Sequence, residues 1–488
     1  MKNFVYKSGM LALFAGVLLT SCDPEIDVAE PTSGTADFSS YVAVGNSLTA
    51  GYADGGLYLE GQLSSYPALL AQQFQAVGGG DFTQSLFTEA QRNGTGYLRL
   101  VGFGAPAIPG GSPTPITEAV KTELAIRAAV GPNPKLPVFL YTKFTGNVNN
   151  LGVPDMRISE IKNNNLANPQ NFDPQTGRAL FFPQFERVAA TAQQSYLEYV
   201  QANVDAAEPT FFSNWLGNND VLTYATSGAF SSTLTDVATF QANYSELIDV
   251  LTANNAKGVV ATIPNVTAVP FFTTVGPTLK AGLKAKGIPA IAILTGKTAT
   301  RVPLPVDNIK DATGGTALIP LTASAYIPLL GAPGGKYWRD ISKTAFPGNP
   351  TAGLQYFLGT YGIDTTQAFG TALNPWPSSL ILDETEQAEI ATRTTELNNI
   401  IKAEAQSNNL AIWDANAYFN SIQNGFTRSG VFYSPAYIRG NLFSLDGIHP
   451  TPRGQAIMAN EFISAINAKY NARIPKVDET QYRAIVLP

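Results

Sequence analysis

Serine, histidine and aspartate stand in this chain in short segments whose residue types suit acyl transfer. Asp446-Gly447-Ile448-His449 is the most informative segment, because His449 is the only histidine of the chain. A serine nucleophile needs a base with a pKa near neutrality, and imidazole is the usual one. A carboxylate three residues earlier, across a turn that contains glycine, can fold back to orient the ring. We therefore expect His449 to be the base and Asp446 its partner; a structural histidine is the alternative.

Two further polar segments each follow an apolar run that is predicted to be a strand. Ser47 comes directly after residues 41–44, and an Asn-Asn-Asp sequence at residues 218–220 comes after residues 211–216. The carboxyl ends of parallel strands are where α/β folds bind their ligands. Each segment alone also fits a helix cap or a turn. Together, they predict a hydroxyl nucleophile and amide donors at one edge of a sheet.

Apolar runs alternate with helical patterns along the chain, which indicates an α/β fold with a parallel sheet. The predicted strands are residues 41–44, 211–216, 258–263 and 410–413, with residues 137–141 as a weaker candidate. The predicted helices are residues 185–206, 233–254, 384–407 and 453–468. Thr451 and Pro452 supply an N-cap and a first-turn proline for the last helix.

The chain is predicted to contain one α/β domain, residues 38–488, with two insertions. Residues 53–148 and 267–377 are rich in Gly, Pro, Thr and Ala and do not follow the alternation of strands and helices. We interpret them as decorations of the α/β domain, either separate or packed together as a lobe.

The polar segments together resemble the motifs of the SGNH hydrolases, the GDSL-type esterases and lipases. Residues 45–48 resemble the first block of that family, with Asn46 where the family more often has aspartate. Residues 217–220 resemble the third block, Gly-x-Asn-Asp, and residues 446–449 resemble the final block, Asp-x-x-His. The resemblance implies a three-layer α/β/α, flavodoxin-like fold and an esterase that uses no metal or organic cofactor.

The family resemblance also implies roles for individual residues. Ser47 would attack the ester, His449 would take its proton, and Asp446 would hold the imidazole. The oxyanion would be stabilised by the backbone N–H of Ser47, the side-chain amide of Asn219 and an N–H of the second block. Residues 150–155 resemble that block, except that Asp155 replaces the family's glycine.

The amino terminus resembles a bacterial lipoprotein signal. Lys2 and Lys7 precede an apolar stretch at residues 10–19, which is too short to span about 30 Å of hydrocarbon. The resemblance implies that residues 1–21 are removed and that Cys22, the only cysteine, is lipidated. An ordinary signal peptide with an incidental cysteine is the alternative. Residues 22–37 would be a tether, and the protein would be anchored in the bacterial cell envelope, at the outer membrane, facing the periplasm or the cell surface.

The overall charge and the motifs limit the partners that we expect. The formal net charge is -6 and no basic run is present, which argues against nucleic acid. We expect a small-molecule or glycan ester, either an acylated glycan or a lipid-like ester. Two alternatives remain open at this point, an acyltransferase that uses the same residues and a non-catalytic surface binder on an esterase scaffold.

Overall fold

Four of the predicted strands and a fifth, shorter one form a single parallel sheet. The strands are β1 Tyr41–Gly45, β2 Asn150–Gly152, β3 Phe211–Trp215, β4 Lys257–Ala261 and β5 Ala411–Trp413. Their order across the sheet is β5-β4-β3-β1-β2, and every pairing is parallel. This is the doubly wound order of flavodoxin-like folds. The predicted α/β fold with a parallel sheet is confirmed.

The computed structural model describes residues 30–106, 113–130, 137–173, 175–176 and 178–488. The predicted signal at residues 1–21, the predicted lipidation site Cys22 and residues 22–29 of the predicted tether lie outside these ranges. No helix among the described residues combines the length and the apolar character that a membrane span requires.

Helices cover both faces of the sheet, which makes the fold three-layered. In β1, Val42 and Val44 point to one face, whereas Tyr41 and Ala43 point to the other, as the period of two in a strand requires. The first face packs against three helices, which we label α2 Tyr196–Ala207, α3 Val237–Thr252 and α4 Glu384–Ser407. The second face packs against α1 Tyr66–Phe74 and α5 Pro452–Tyr470.

The remaining helices lie in the connections. They are Ser47–Ala50, Leu59–Leu63, Pro183–Val188, Asn219–Thr226, Pro270–Thr273, Gly276–Ala285, Lys336–Ala345, Pro350–Tyr361 and Ala415–Ser421. Short 3-10 turns occur at Gln75–Val77, Glu89–Gln91, Ile158–Glu160, Val266–Ala268, Val306–Asn308, Leu321–Ala325, Ile327–Leu329, Ser378–Leu380 and Glu479–Gln481.

The single helix predicted at residues 185–206 is wrong, because the chain forms two helices there. The first ends at Val188, and α2 begins at Tyr196. Ser195 accepts a hydrogen bond from the backbone N–H of Glu198, whose carboxylate accepts the N–H of Ser195 in return. This capping box satisfies two N–H groups at the start of a helix and so fixes a new helix start.

The weaker strand candidate, residues 137–141, forms a strand but not in the central sheet. Pro137–Leu140 pairs antiparallel with Arg127–Val130 in a separate hairpin. The fifth strand of the sheet is instead β2, which lies in the segment that resembles the second motif block. With only three residues, β2 is too short to stand out as an apolar run.

Among the described residues, the segments predicted to be insertions add no strand to the central sheet. Residues 53–148 nevertheless supply α1, which packs on the second face of the sheet, so the prediction that this segment only decorates the domain is wrong for α1. Residues 267–377 contain a hairpin, Ala290–Leu294 with Arg301–Pro305, and an apolar cluster of their own around Trp338 and Trp376. Residues 53–148 contribute the Tyr97–Gly104 and Thr114–Val120 hairpin. The last hairpin, Phe426–Arg428 with Val431–Tyr433, precedes the final motif block.

Candidate active site

The sheet topology brings three of the motif segments to one edge. Strand β1 lies between β2 and β3, with Gly45 opposite Gly152 on one side and Trp215 on the other. The segments that follow these residues therefore leave the sheet side by side. This position, where the strand order reverses, is the usual ligand site of doubly wound folds.

Ser47 and His449 are in direct contact although they are 402 residues apart in sequence. The Ser47 Oγ lies 2.8 Å from Nε2 of His449, and Nδ1 of His449 lies 2.9 Å from Oδ2 of Asp446. Ser47 is 6% exposed, and the side chains of His449 and Asp446 are each 14% exposed. An imidazole held between a serine hydroxyl and a carboxylate in this way can take up the hydroxyl proton.

The final motif block folds back on itself through Gly447, which adopts a left-handed conformation (φ 73°). This turn brings the Asp446 carboxylate under the backbone of the two residues before Pro450. Oδ1 of Asp446 accepts the N–H groups of Ile448 and His449, both at 2.8 Å. The predicted glycine-containing turn is therefore present, and it fixes the carboxylate relative to the imidazole.

Several donors around Asp446 hold its pKa below the usual value of an aspartate. Burial acts in the opposite direction, but the charge of His449 and the hydrogen bonds from its ring, its backbone and Ile448 outweigh it. Asp446 is therefore ionised at neutral pH and can only accept hydrogen bonds. Nδ1 of His449 must then carry a proton, which leaves Nε2 as the acceptor for the Ser47 hydroxyl.

Asp155 stands in a turn directly beyond β2, as the second-block resemblance implies. Val153 donates its N–H to the carbonyl of Gly45 at 3.1 Å, so the turn lies beside the loop that carries Ser47. Asp155 has a φ of 66°, a left-handed conformation that glycine adopts most easily and aspartate tolerates. No hydrogen bond links the backbone N–H or the carboxylate of Asp155 to any other described residue.

The carboxylate of Asp155 faces two opposing influences. Solvent reaches the residue, but the walls of the site surround it, and this desolvation raises its pKa. The charge of His449 lowers the pKa of Asp155, which shows that the two side chains lie within electrostatic reach of each other.

Asn219 and Asp220 connect the third block to the second. The side-chain amide of Asn219 donates to the carbonyl of Met156 at 3.2 Å, which occupies one of its two N–H groups. Asp220 accepts the N–H groups of Ile158 at 2.8 Å and Ser159 at 3.1 Å. Both segments are thereby held against each other at the carboxyl edge of the sheet. The second N–H of the Asn219 amide has no acceptor among the residues that the structure describes.

Three residues of the site were not identified from the sequence. The N–H of Gly55 donates to Oδ2 of Asp446 at 2.9 Å, and the Ser444 hydroxyl lies 3.2 Å from Oδ1 of Asp446. The ring of Tyr52 packs against the imidazole of His449, with 4.7 Å between the ring centroids. The Asp-Gly sequence at residues 54–55, a strong turn signal, was the only local indication of this contribution.

The family comparison covers the carboxyl-terminal part of the chain. Residues 294–462 match the model of the GDSL-like lipase/acylhydrolase family, and this range contains Asp446 and His449. Ser47, Asp155 and Asn219 precede the matched range. No curated protein matches the chain. Together with the doubly wound parallel sheet, this similarity supports an SGNH hydrolase of the GDSL-like lipase/acylhydrolase type and a hydrolase activity on ester bonds.

Proposed function

We propose that the protein hydrolyses carboxylic esters by an acyl-enzyme mechanism in which Ser47 is the nucleophile. The contact between the Ser47 hydroxyl and Nε2 of His449, at 2.8 Å, is the observation that carries this proposal. His449 takes the proton as Ser47 attacks the ester carbonyl, and the Asp446 carboxylate stabilises the imidazolium. His449 then protonates the leaving alcohol, and water releases the acyl group in the reverse sequence of steps.

The oxyanion of the tetrahedral intermediate needs donors that are not already occupied. We propose the backbone N–H groups of Ser47 and Asp155 and the free N–H of the Asn219 amide. None of these three donates to an acceptor among the described residues. All three come from segments that leave adjacent strands at the same edge of the sheet.

We propose an ester with a short acyl group, on the basis of an apolar pocket that the chain neighbours of Ser47 and His449 help to line. Its walls include Leu48 and Ile448, the chain neighbours of Ser47 and His449, together with Trp215. The cavity volume is about 40 Å³, which is room for about three water-sized groups. The alcohol part of the substrate would belong to an acylated glycan or to a lipid-like ester.

We further propose that the mature protein is attached to the bacterial envelope through Cys22, with residues 22–30 as a tether. The predicted tether, residues 22–37, is too long, because the folded unit begins at Pro31 and Thr35 donates its N–H to the carbonyl of Tyr470 at 2.8 Å. The attachment through Cys22 is supported by the short apolar stretch before a single cysteine. It would place the ester substrate at the outer membrane, in the periplasm or on the cell surface.

The nucleophile is tested by Ser47→Ala together with a fluorophosphonate probe. Wild-type protein should hydrolyse p-nitrophenyl acetate and butyrate faster than the octanoate, and the probe should label Ser47 alone. Ser47→Ala should lose both activities while keeping the thermal unfolding temperature of the wild type. Retained turnover, or labelling at another serine, would exclude Ser47 as the nucleophile.

A further inference from the structure

The first turn of the 53–148 segment has a tightly defined backbone. Ala53 and Gly56 exchange both of their hydrogen bonds, N–H to carbonyl, at 3.0 and 2.9 Å. The two residues between them, Asp54 and Gly55, have φ values of 53° and 78°. Two positive φ values inside a two-residue loop define a type I′ turn, for which Asp-Gly is a preferred sequence. The conformation of this turn is therefore set locally.

Both central residues of this turn contact the loop that carries Asp446, although they are about 390 residues away in sequence. Asp54 donates its N–H to the Ser444 hydroxyl at 2.8 Å, and its carboxylate accepts the N–H of Leu445 at 2.9 Å. Gly55 donates its N–H to Oδ2 of Asp446, the same oxygen that binds the imidazole of His449. The turn thus holds three consecutive residues of the loop, 444 to 446.

The hydroxyl of Ser444 transmits one of these contacts to Asp446. Because the Ser444 oxygen accepts the N–H of Asp54, its own proton is free to be donated to Oδ1 of Asp446, 3.2 Å away. Ser444 is fully buried, so no water competes for this hydroxyl. The turn therefore contacts both oxygens of the Asp446 carboxylate, one directly and one through Ser444.

The Asp54 carboxylate is held in turn by a cation from the far end of the chain. Asp54 is 3% exposed, and burial raises its pKa, while the N–H of Leu445 and the charge of Arg483 act in the opposite direction. Oδ2 of Asp54 accepts the hydroxyl of Tyr58 at 2.8 Å and lies 3.4 Å from Nη2 of Arg483. A buried carboxylate without such partners would be costly.

The same segment is tied to Ser47 and to the ring of His449. Tyr52, two residues before the turn, donates its N–H to the carbonyl of Ser47 at 2.9 Å and packs against the imidazole. The Tyr52 hydroxyl donates to the carbonyl of Gly55 at 2.7 Å, which links the ring to the turn. Residues 52–55 therefore contact all three members of the proposed triad.

We infer that the turn at Asp54-Gly55, anchored by Arg483, positions Asp446 and thereby aligns His449 with Ser47. Asp54 is a positioning residue: it touches neither the substrate nor the reacting atoms but fixes the loop that holds the base. This inference rests on the proposed function, since it assigns a supporting role to residues around the proposed triad. A displacement of about 1 Å at a catalytic group can lower a rate by about 10²-fold.

Three variants separate the positioning role from general stability. Asp54→Gly keeps the positive φ that the turn needs but removes the carboxylate, and Asp54→Asn keeps an acceptor for Leu445 in an equally favourable turn. The matched control is Asp311→Ala in the 267–377 segment, which removes another carboxylate paired with a mostly buried cation, Lys280. Activity on p-nitrophenyl acetate, labelling by a fluorophosphonate and thermal unfolding are measured for each.

We expect Asp54→Gly to lower kcat about 10- to 100-fold, with KM within twofold of the wild type and the labelling rate of Ser47 reduced in parallel. Asp54→Asn should recover kcat to within about threefold of the wild type. Asp311→Ala should lower the unfolding temperature without changing kcat. If Asp54→Gly does not fold, Ser444→Ala replaces it, with the same expectation of a fall in kcat at constant KM.

Two results would overturn the inference. One is a folded Asp54→Gly variant with wild-type kcat, and the other is an equal loss of kcat in Asp311→Ala, which would attribute the effect to stability. Ser47→Ala is measured beside these variants. If it remains active, the proposed function itself fails, whereas its inactivity together with an unaffected Asp54→Gly removes only the positioning role.

Discussion

Asp446 accepts five hydrogen bonds. In an asparagine at this position, the NH₂ group would face neighbours that are themselves hydrogen-bond donors. The oxygens of Asp446 face the N–H groups of Gly55, Ile448 and His449, the hydroxyl of Ser444 and the Nδ1–H of the imidazole. An amide NH₂ in place of either oxygen would meet at least two of these donors. The conformation of the loop and the tautomer of His449 would both be disturbed.

We therefore expect Asp446→Asn to lower kcat by about 10²- to 10⁴-fold. His449→Ala should cost more, because it removes the base itself rather than the group that orients it. Steady-state rates on a p-nitrophenyl ester, measured with the folded fraction determined by thermal unfolding, provide the comparison. A smaller loss in His449→Ala than in Asp446→Asn would contradict the assignment of the base.

Asp155 is the residue that departs from the family pattern, and its backbone makes the departure tolerable. Only its N–H is required in the proposed oxyanion hole, and its φ of 66° keeps the conformation that a glycine would adopt. Its carboxylate is unfavourable for the proposed reaction, because a negative charge near His449 would also repel the developing oxyanion.

We expect Asp155→Gly to leave kcat within about tenfold of the wild type or to raise it, since the backbone donor is retained. Loss of an oxyanion donor would instead cost roughly 10²- to 10³-fold. The measurement is kcat and KM on an uncharged ester and on an ester whose alcohol part is a sugar. A fall of more than about 10²-fold in a folded variant would assign the carboxylate a direct role in binding substrate.

At the level of elements, the site depends on how the ends of β1, β2 and β3 are fastened together. Asp220 holds these segments together and is fully buried. It accepts hydrogen bonds from the N–H groups of Ile158 and Ser159 and from the hydroxyl of Thr235. It therefore joins the start of the Asn219–Thr226 helix to the loop that contains Asp155.

Asp220 also predicts a pH dependence of stability. Burial raises its pKa in the folded state to about 6, against its three hydrogen bonds, whereas an exposed aspartate titrates near 3.9. The folded state therefore holds this proton more tightly than the unfolded chain. The resulting contribution to stability is complete below about pH 4 and is lost as the pH rises through about 6.

The test compares urea unfolding of the wild type and of Asp220→Asn at pH 5 and pH 8. The wild type should be more stable relative to the variant at pH 5 than at pH 8. The difference between their free energies of unfolding should change by on the order of 1 kcal/mol. A relative stability that rises between pH 5 and pH 8 would mean that the hydrogen bonds to Asp220 outweigh its burial.

At the level of the whole molecule, the two segments predicted to be insertions differ, because residues 53–148 include α1, which covers one face of the sheet. Residues 267–377 have an apolar cluster of their own, separate from those on the two faces of the sheet. Residues of both segments line one groove, among them Phe103 and Pro115 of the first segment and Val275 and Leu321 of the second.

Attachment to a membrane is the prediction that belongs to this scale. Cys22→Ser should move the protein from the membrane fraction to the soluble fraction of the cells that express it. The specific activity of the released protein should equal that of the wild type extracted in detergent, because the proposed site lies entirely within the folded unit. A variant that stays in the membrane fraction would exclude Cys22 as the anchor.

The sequence by itself determined the elements whose signals are local. Apolar runs bounded by turn residues located four of the five strands, and Thr451 with Pro452 marked the start of α5. The residue types around Ser47, Asn219 and His449 were also sufficient to indicate the family. In each case, the signal lies within a few neighbouring residues, so it can be interpreted without knowledge of the fold.

Only the tertiary structure decided which distant groups complete the site. The partners of Asp446 include a backbone N–H at Gly55, and every residue except proline carries such a donor, so no residue type could reveal it. The order of the strands decided that the ends of β1, β2 and β3 meet, because parallel pairing is set by packing across the whole sheet. Likewise, β2 is strand only because β1 pairs with it. The residues of the candidate site could therefore be predicted from the sequence. The contacts that align Ser47, His449 and Asp446 arise instead from packing between segments hundreds of residues apart.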